Sequence, residues 1–216
     1  MTPTITTFAW VPPFARGQVR DLRARWAFEE IGEAYDLHLI RDAKTPEHRH
    51  FQPFGQVPTY RDDSVALFES GAIALHVARR GPGLLPDDVA GRAIAEQWVI
   101  AALNSVEPCV MDLATVDLFE ADKPWSAQRR PSVVERIRGR LAALTEALGK
   151  RPYLGGDGFT VGDLMMACVL RILPREEILD DFPALAAYLD RCTARPAFQK
   201  ALADQLALYA EEAVSA

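Results

Sequence analysis

The sequence predicts a small α/β domain followed by an all-helical one, and three observations carry that expectation. The first third runs strand, helix, strand, loop, strand, strand, helix, judged by its apolar periodicity. A Gly/Pro-rich stretch, Arg79-Arg80-Gly81-Pro82-Gly83-Leu84-Leu85-Pro86, then breaks the pattern. Nearly everything beyond it has helical spacing. The expected division is an α/β domain over 1–80, a linker over 81–90 and a helical domain over 91–216.

Each element has a local cause. Ile5-Thr6-Thr7-Phe8-Ala9-Trp10 is β-branched and aromatic, so it favours a strand, and Val11-Pro12-Pro13 stops it. Val19, Leu22, Trp26, Ala27 and Ile31 recur at helical spacing, and Gly32 suits a C-terminal cap. Tyr35 to Ile40 alternates as a second strand. Pro53 and Gly55 forbid a helix, so a loop delivers the chain to Val57. Thr59-Tyr60 and Val65-Ala66-Leu67-Phe68 then form a hairpin about the polar turn Arg61-Asp62-Asp63-Ser64. Pro58 lacks a ladder donor and is tolerated where that hairpin begins. Glu69-Ser70 opens the apolar helix Ala72 to Val77. Its N-terminus presents unpaired N–H groups and partial positive charge, which suit a carboxylate.

Past the linker, 87–112 carries Ile94, Trp98, Ala101, Ala102, Val106 and Val110 on one side, with Pro108 as an expected kink. Ser126 to Leu148 is basic early and amphipathic later, and Gly149 lies just beyond it. Phe159-Thr160-Val161-Gly162-Asp163-Leu164 reads as a capping box, with Phe159 and Leu164 as its hydrophobic staple. The run that follows is apolar nearly all round, so it predicts a buried helix.

Bulk composition narrows the function classes. The chain has 216 residues, 49% of them hydrophobic, and a net charge of −6, which argues against a general nucleic-acid or anionic-membrane binder. The three cysteines, Cys109, Cys168 and Cys192, are odd in number and far apart, which predicts neither a disulfide framework nor a metal site. A reducing cytoplasm fits. Met1-Thr2-Pro3-Thr4-Ile5 has no basic or apolar leader pattern, and no apolar run is expected to span a bilayer.

The stretch Gln52-Pro53-Phe54-Gly55-Gln56-Val57-Pro58-Thr59-Tyr60, followed by Leu67-Phe68-Glu69-Ser70-Gly71-Ala72-Ile73, resembles the glutathione-binding half of the glutathione S-transferase family. The capping box, Phe182-Pro183-Ala184-Leu185 and Ala194-Arg195-Pro196-Ala197-Phe198 resemble its C-terminal half. The resemblance implies a thioredoxin-like N-terminal domain, a helical C-terminal domain, glutathione as co-substrate and a homodimer. It also implies that the Val57–Pro58 bond is cis, with the Val57 backbone turned out to pair with the cysteinyl part of glutathione. By position, Gln56, Val57, Pro58, Glu69 and Ser70 are the glutathione-binding residues, Glu69-Ser70 gripping the γ-glutamyl end. The implied activity is conjugation of the glutathione thiolate to a small hydrophobic electrophile. The alternative is a non-catalytic glutathione-binding or regulatory protein of the same fold.

One feature of the family is missing. Its members activate the thiol with a Tyr, Ser or Cys near the end of the first strand. Here no Ser or Cys occurs between Met1 and Asp63, and the only tyrosines there are Tyr35 and Tyr60. Arg16 is the candidate catalytic residue, since a nearby cation lowers a thiol's pKa. The Trp10 indole and the N–H groups of Gly17-Gln18, at the expected start of the first helix, are the other donors. Trp10, Phe14 and Asn104 are candidate substrate-pocket residues. Lys44 could reach the glycyl carboxylate. His48-Arg49-His50 predicts a solvated loop rather than a metal site.

Overall fold

A computed structural model describes residues 1–211. They form two compact units: Met1–Leu85 with the C-terminal segment from Ala194, and Pro86–Thr193.

The first unit is a four-stranded sheet with helices. Strands β1 (Thr4–Phe8), β2 (Asp36–Ile40), β3 (Thr59–Arg61) and β4 (Ala66–Phe68) lie in the order β2-β1-β3-β4. β1 and β2 pair in parallel, Ile5 against Leu37, through the crossover helix α1 (Asp21–Ile31). β3 pairs antiparallel to β1, Thr6 against Thr59, and the β3–β4 hairpin follows. This is the thioredoxin-like arrangement. Ile5, Trp26, Phe28 and Tyr60 are fully buried in the core, with Phe28 and Tyr60 stacked at 6.2 Å. Gly32 ends α1 at φ 69°, the left-handed cap its position predicts.

Two local expectations in this unit are corrected. α1 starts at Asp21 rather than at Gly17-Gln18, because turns closed by Gln18 N–H to Ala15 O and Leu22 N–H to Val19 O occupy the approach. The segment expected as a solvated His-rich loop is a short helix, α2 (Pro46–Phe51). The Thr45 side chain caps it by accepting from His48 N–H, Pro46 supplies the first helical φ, and His48 is buried. Helix α3 (Ser70–Ala78) completes the α/β portion.

The hairpin turn is held by a polar knot. Asp62 accepts from the Tyr60 hydroxyl at 2.6 Å and from Arg80 at 2.7 Å, while Arg80 also reaches Glu33. The other Asp62 oxygen accepts the Ser64 N–H, its hydroxyl and the Val65 N–H. The Tyr60 hydroxyl first, and then the Ser64 donors, hold the Asp62 carboxyl well below the usual carboxylate range, against its own desolvation. A depressed carboxyl stabilises the fold above its unfolded pKa, and that contribution fades as pH falls through the folded value. The stability gap between the wild type and Asp62→Asn should therefore be full at neutral pH and narrow below about pH 4. Urea midpoints at several pH values measure it, and a gap that does not change with pH contradicts the assignment.

The last helix was expected in the helical domain, but it packs on α1. Helix α9 (Pro196–Glu211) places Phe198 edge-on to Trp26 at 4.7 Å. Arg195 bridges Glu30, and Gln205 donates to Asp21 at 2.7 Å and to the Val19 carbonyl at 3.1 Å. Asp21 and Arg25 form a buried ion pair at 2.6 Å under this helix. The linker residue Leu84 is fully buried, so this part of the chain is packed rather than loose.

The second unit is built of α4 (Val89–Ala101), α5 (Glu107–Ala114), α6 (Ser126–Leu148), α7 (Val161–Leu170) and α8 (Pro183–Thr193). α4 and α5 are joined by a π-helical turn, Ala102–Val106, and a second one, Thr115–Phe119, follows α5. Pro108 has no N–H to give to residue 104, and the π turn just before it carries the helix past that gap in the ladder. Val89–Phe119 is in consequence one helical run of 31 residues, long and apolar enough to cross a membrane, which corrects the expectation that none is. The run carries Glu107, itself buried, and α4 packs on α7 within the unit. Every residue of α7 is buried, as its all-round apolarity predicts. Gly162 explains the close approach to α4: a Cβ there would stand 2.6 Å from the Trp98 side chain and 2.9 Å from the Ala95 carbonyl.

Candidate functional site

The first unit gathers most of the expected site residues onto two loops and one helix end. The first loop runs from Gln52 to Pro58. The Val57–Pro58 bond is cis. The sheet register starts at Thr59, so Val57 stands outside the ladder, half-buried. The loop is fastened from behind. Buried Gln52 accepts the Gln56 N–H through its side chain at 3.2 Å, and its carbonyl accepts Gly55 N–H. Gly55 sits at φ 61°, and a Cβ there would meet the Ala43 carbonyl at 2.8 Å, so only glycine fits. His48 Nε2 lies 2.6 Å from the Gln56 carbonyl. A carbonyl only accepts, so this nitrogen carries the proton. Lys44 Nζ donates to the Phe54 carbonyl at 3.1 Å, which places Lys44 on the same loop system.

Glu69 and Ser70 form the second part. Glu69 is exposed and precedes α3 with φ 69° and ψ 114°, the only non-glycine residue at positive φ among the described residues. Such a conformation costs on the order of 1–3 kcal/mol and persists only where its surroundings enforce it. The first α3 bond runs from Ile73 N–H to the Glu69 carbonyl, so the N–H groups of Ser70, Gly71 and Ala72 have no partner within the helix. Ser70 is buried, and its Oγ accepts from Arg23 Nη1 at 3.0 Å. Arg23 itself is 3% exposed.

The third part is the loop after β1. Trp10 and Phe14 expose 51% and 58% of their surfaces, enough for both rings to offer apolar faces to a ligand. Pro13–Ala15 is a single 3₁₀ turn, and Gly17 takes φ 75°. Of the backbone donors considered for thiol activation, Gln18 N–H is already bonded to Ala15 O. Arg16 is half-buried, and its Nε is enclosed by protein without a hydrogen bond. Asn104 belongs to the second unit, exposed on its first π-helical turn.

Among the described residues, no group of three or more His, Cys, Asp or Glu is placed to hold a metal. No disulfide joins the three cysteines, with Cys168 and Cys192 buried and Cys109 half-buried. The sequence did not single out Arg23, gave Gln52 no role beyond its place in the loop, and put His48 in a solvated loop. Thr45-Pro46-Glu47 carried a helix-start signature that would have placed His48. Arg23 lies among the helically spaced apolar residues Leu22, Trp26 and Ala27, a position that only a polar partner justifies.

A thioredoxin-like unit with a cis-proline loop outside the sheet register and an open helix N-terminus, in a chain that also carries a helical unit, defines a class that the comparisons identify. Residues 14–79 match the N-terminal domain of glutathione S-transferases, and residues 106–196 match their C-terminal domain. Glutathione S-transferase F11 of Arabidopsis thaliana is 33% identical over 178 residues, 78% of this chain and 82% of that protein. The theta-class enzyme from Xanthomonas axonopodis pv. citri, solved with glutathione bound, superposes with a TM-score of 0.77 at 28% identity, over 93% of this chain and 97% of that one. A Burkholderia graminis glutathione transferase with two glutathione molecules per subunit gives a TM-score of 0.81 at 25% identity, over 93% and 87%. The chain belongs to the glutathione S-transferase family.

Proposed function

We propose that this protein binds glutathione on its first unit and conjugates the thiolate to a small hydrophobic electrophile. The observation that carries the reading is the pairing of Val57, left outside the sheet register, with a helix start at Glu69-Ser70 built only of donors behind one exposed carboxylate. The Val57 backbone and Gln56 take the cysteinyl part. Glu69 accepts from the γ-glutamyl ammonium, Ser70 and the α3 N–H groups hold its carboxylate, and Lys44 reaches the glycyl carboxylate. Trp10 and Phe14 supply apolar contact for the electrophile.

The thiol loses its proton to solvent, the sulfur attacks the electrophilic carbon, and any leaving group departs with the bond electrons. Arg16 stabilises the thiolate by charge. It is favoured over backbone donation because the Gln18 N–H is engaged and because its own Nε has no protein partner. Arg16→Ala should slow conjugation of an activated aryl halide by about tenfold, through a raised thiol pKa, each unit being about 1.36 kcal/mol. Steady-state rates across pH test this, and an unchanged profile removes Arg16 from the chemistry.

The missing hydroxyl or thiol after β1 favours a second reading, a glutathione-binding or regulatory protein without turnover. Under either reading the partners are glutathione and a small molecule, not nucleic acid or membrane, and cysteines outside any disulfide fit a reducing cytoplasm. Phe54 and Phe68, in edge contact and both exposed, support assembly as a homodimer.

A further inference from the structure

We infer that Arg23 sets the specificity of the Ser70 subsite for a ligand carboxylate, acting through the Ser70 hydroxyl. The inference rests on the glutathione reading above and deepens it. A guanidinium only donates, so at 3.0 Å from Arg23 Nη1 the Ser70 oxygen is the acceptor. The Ser70 proton then points away from Arg23 and is left for a third group. Around it stand the unpaired N–H groups of the α3 N-terminus, also donors. Every polar group named at this subsite therefore donates, and a full positive charge lies one hydroxyl behind them in a position almost closed to water. Hydrogen bonds that involve an ionised partner are stronger than neutral ones, and a donor polarised by a cation is a better donor toward an anion. Glu69, exposed and next to Ser70 in the chain, supplies the complementary negative charge. The arrangement matches the zwitterionic head of an α-amino acid, with the carboxylate at Ser70 and the ammonium at Glu69. It disfavours any ligand whose γ-linked end lacks the carboxylate.

Arg23 is thus a positioning residue rather than a catalytic one, and the test must separate charge relay from packing. Glutathione is compared with its analogue in which γ-aminobutyrate replaces the γ-glutamyl group, which lacks only the α-carboxylate and keeps the amino group's reach. Calorimetry measures both ligands on the wild type, Arg23→Met and Arg23→Lys. The expected result is that the wild-type preference for glutathione shrinks by about tenfold or more in Arg23→Met and is partly restored in Arg23→Lys. Ser70→Ala, which leaves Arg23 in place, should shrink the same preference and serves if Arg23→Met does not fold. Equal loss of both ligands in Arg23→Met, or an undiminished preference in Ser70→Ala, overturns the relay. If the wild type binds glutathione no better than the analogue, the subsite is not selective and the inference fails. If it binds neither, the glutathione reading itself fails.

Discussion

Asp163→Ala should cost this protein about 4 kcal/mol of stability. The carboxylate is fully buried at the start of α7 and accepts four hydrogen bonds: Leu154 N–H at 2.8 Å, Thr160 N–H and hydroxyl at 2.9 Å each, and the Tyr188 hydroxyl at 3.0 Å. Alanine leaves those donors without a partner in a site closed to solvent, at about 1–3 kcal/mol for each donor left unsatisfied. Domains of this kind have only about 5–15 kcal/mol in total, so the variant should sit near the edge of folding. Burial pushes the Asp163 carboxyl up, against the bonds it accepts, so Asp163→Asn, which keeps one acceptor oxygen, should be the milder change. Urea unfolding measures both. A loss under about 1 kcal/mol for Asp163→Ala would mean that the local structure repacks to satisfy the donors.

Glu69→Gln should weaken glutathione by at least about tenfold, since one charge-assisted hydrogen bond is worth about 1.5–3 kcal/mol. Glutamine keeps the size of the side chain and the backbone position at φ 69°, so melting should not change. The effect should appear as a lower affinity in calorimetry, with the folded protein otherwise intact. Affinity equal to the wild type would take Glu69 out of the site and leave its strained backbone without a functional account.

What the sequence revealed and what it hid have separable causes. The hairpin after Pro58, the Gly32 cap, the ends of α6 and the Thr160–Asp163 box were all legible, because each is decided by residues within one turn of itself. The cis Val57–Pro58 bond followed only from the family resemblance, since most X–Pro bonds are trans. α2 was missed because Arg49 and His50 read as solvated, although Thr45-Pro46 announced a helix. The π turn at Ala102–Val106 was not foreseen, because Pro108 states only that the regular ladder fails, not how the chain repairs it. Two arginines on α1, Arg23 and Arg25, are ordinarily surface residues. Arg23 meets Ser70 from 47 positions away, a partner that only the folded chain supplies, and the Asp21–Arg25 pair is local but is buried by the folded chain. The allegiance of α9 was hidden for the same reason, since Gln205 meets Val19 and Asp21 from 184 or more positions away.

The central claim is that this site holds glutathione as an activated thiolate. Ultraviolet titration of glutathione bound to the wild-type protein tests it most directly. The account predicts that the bound thiol ionises well below the free value of about 8.5, and that Arg16→Ala moves it back toward that value. A bound thiol that titrates like free glutathione, with no conjugate formed from an activated aryl halide, would contradict the enzyme and leave a binding protein.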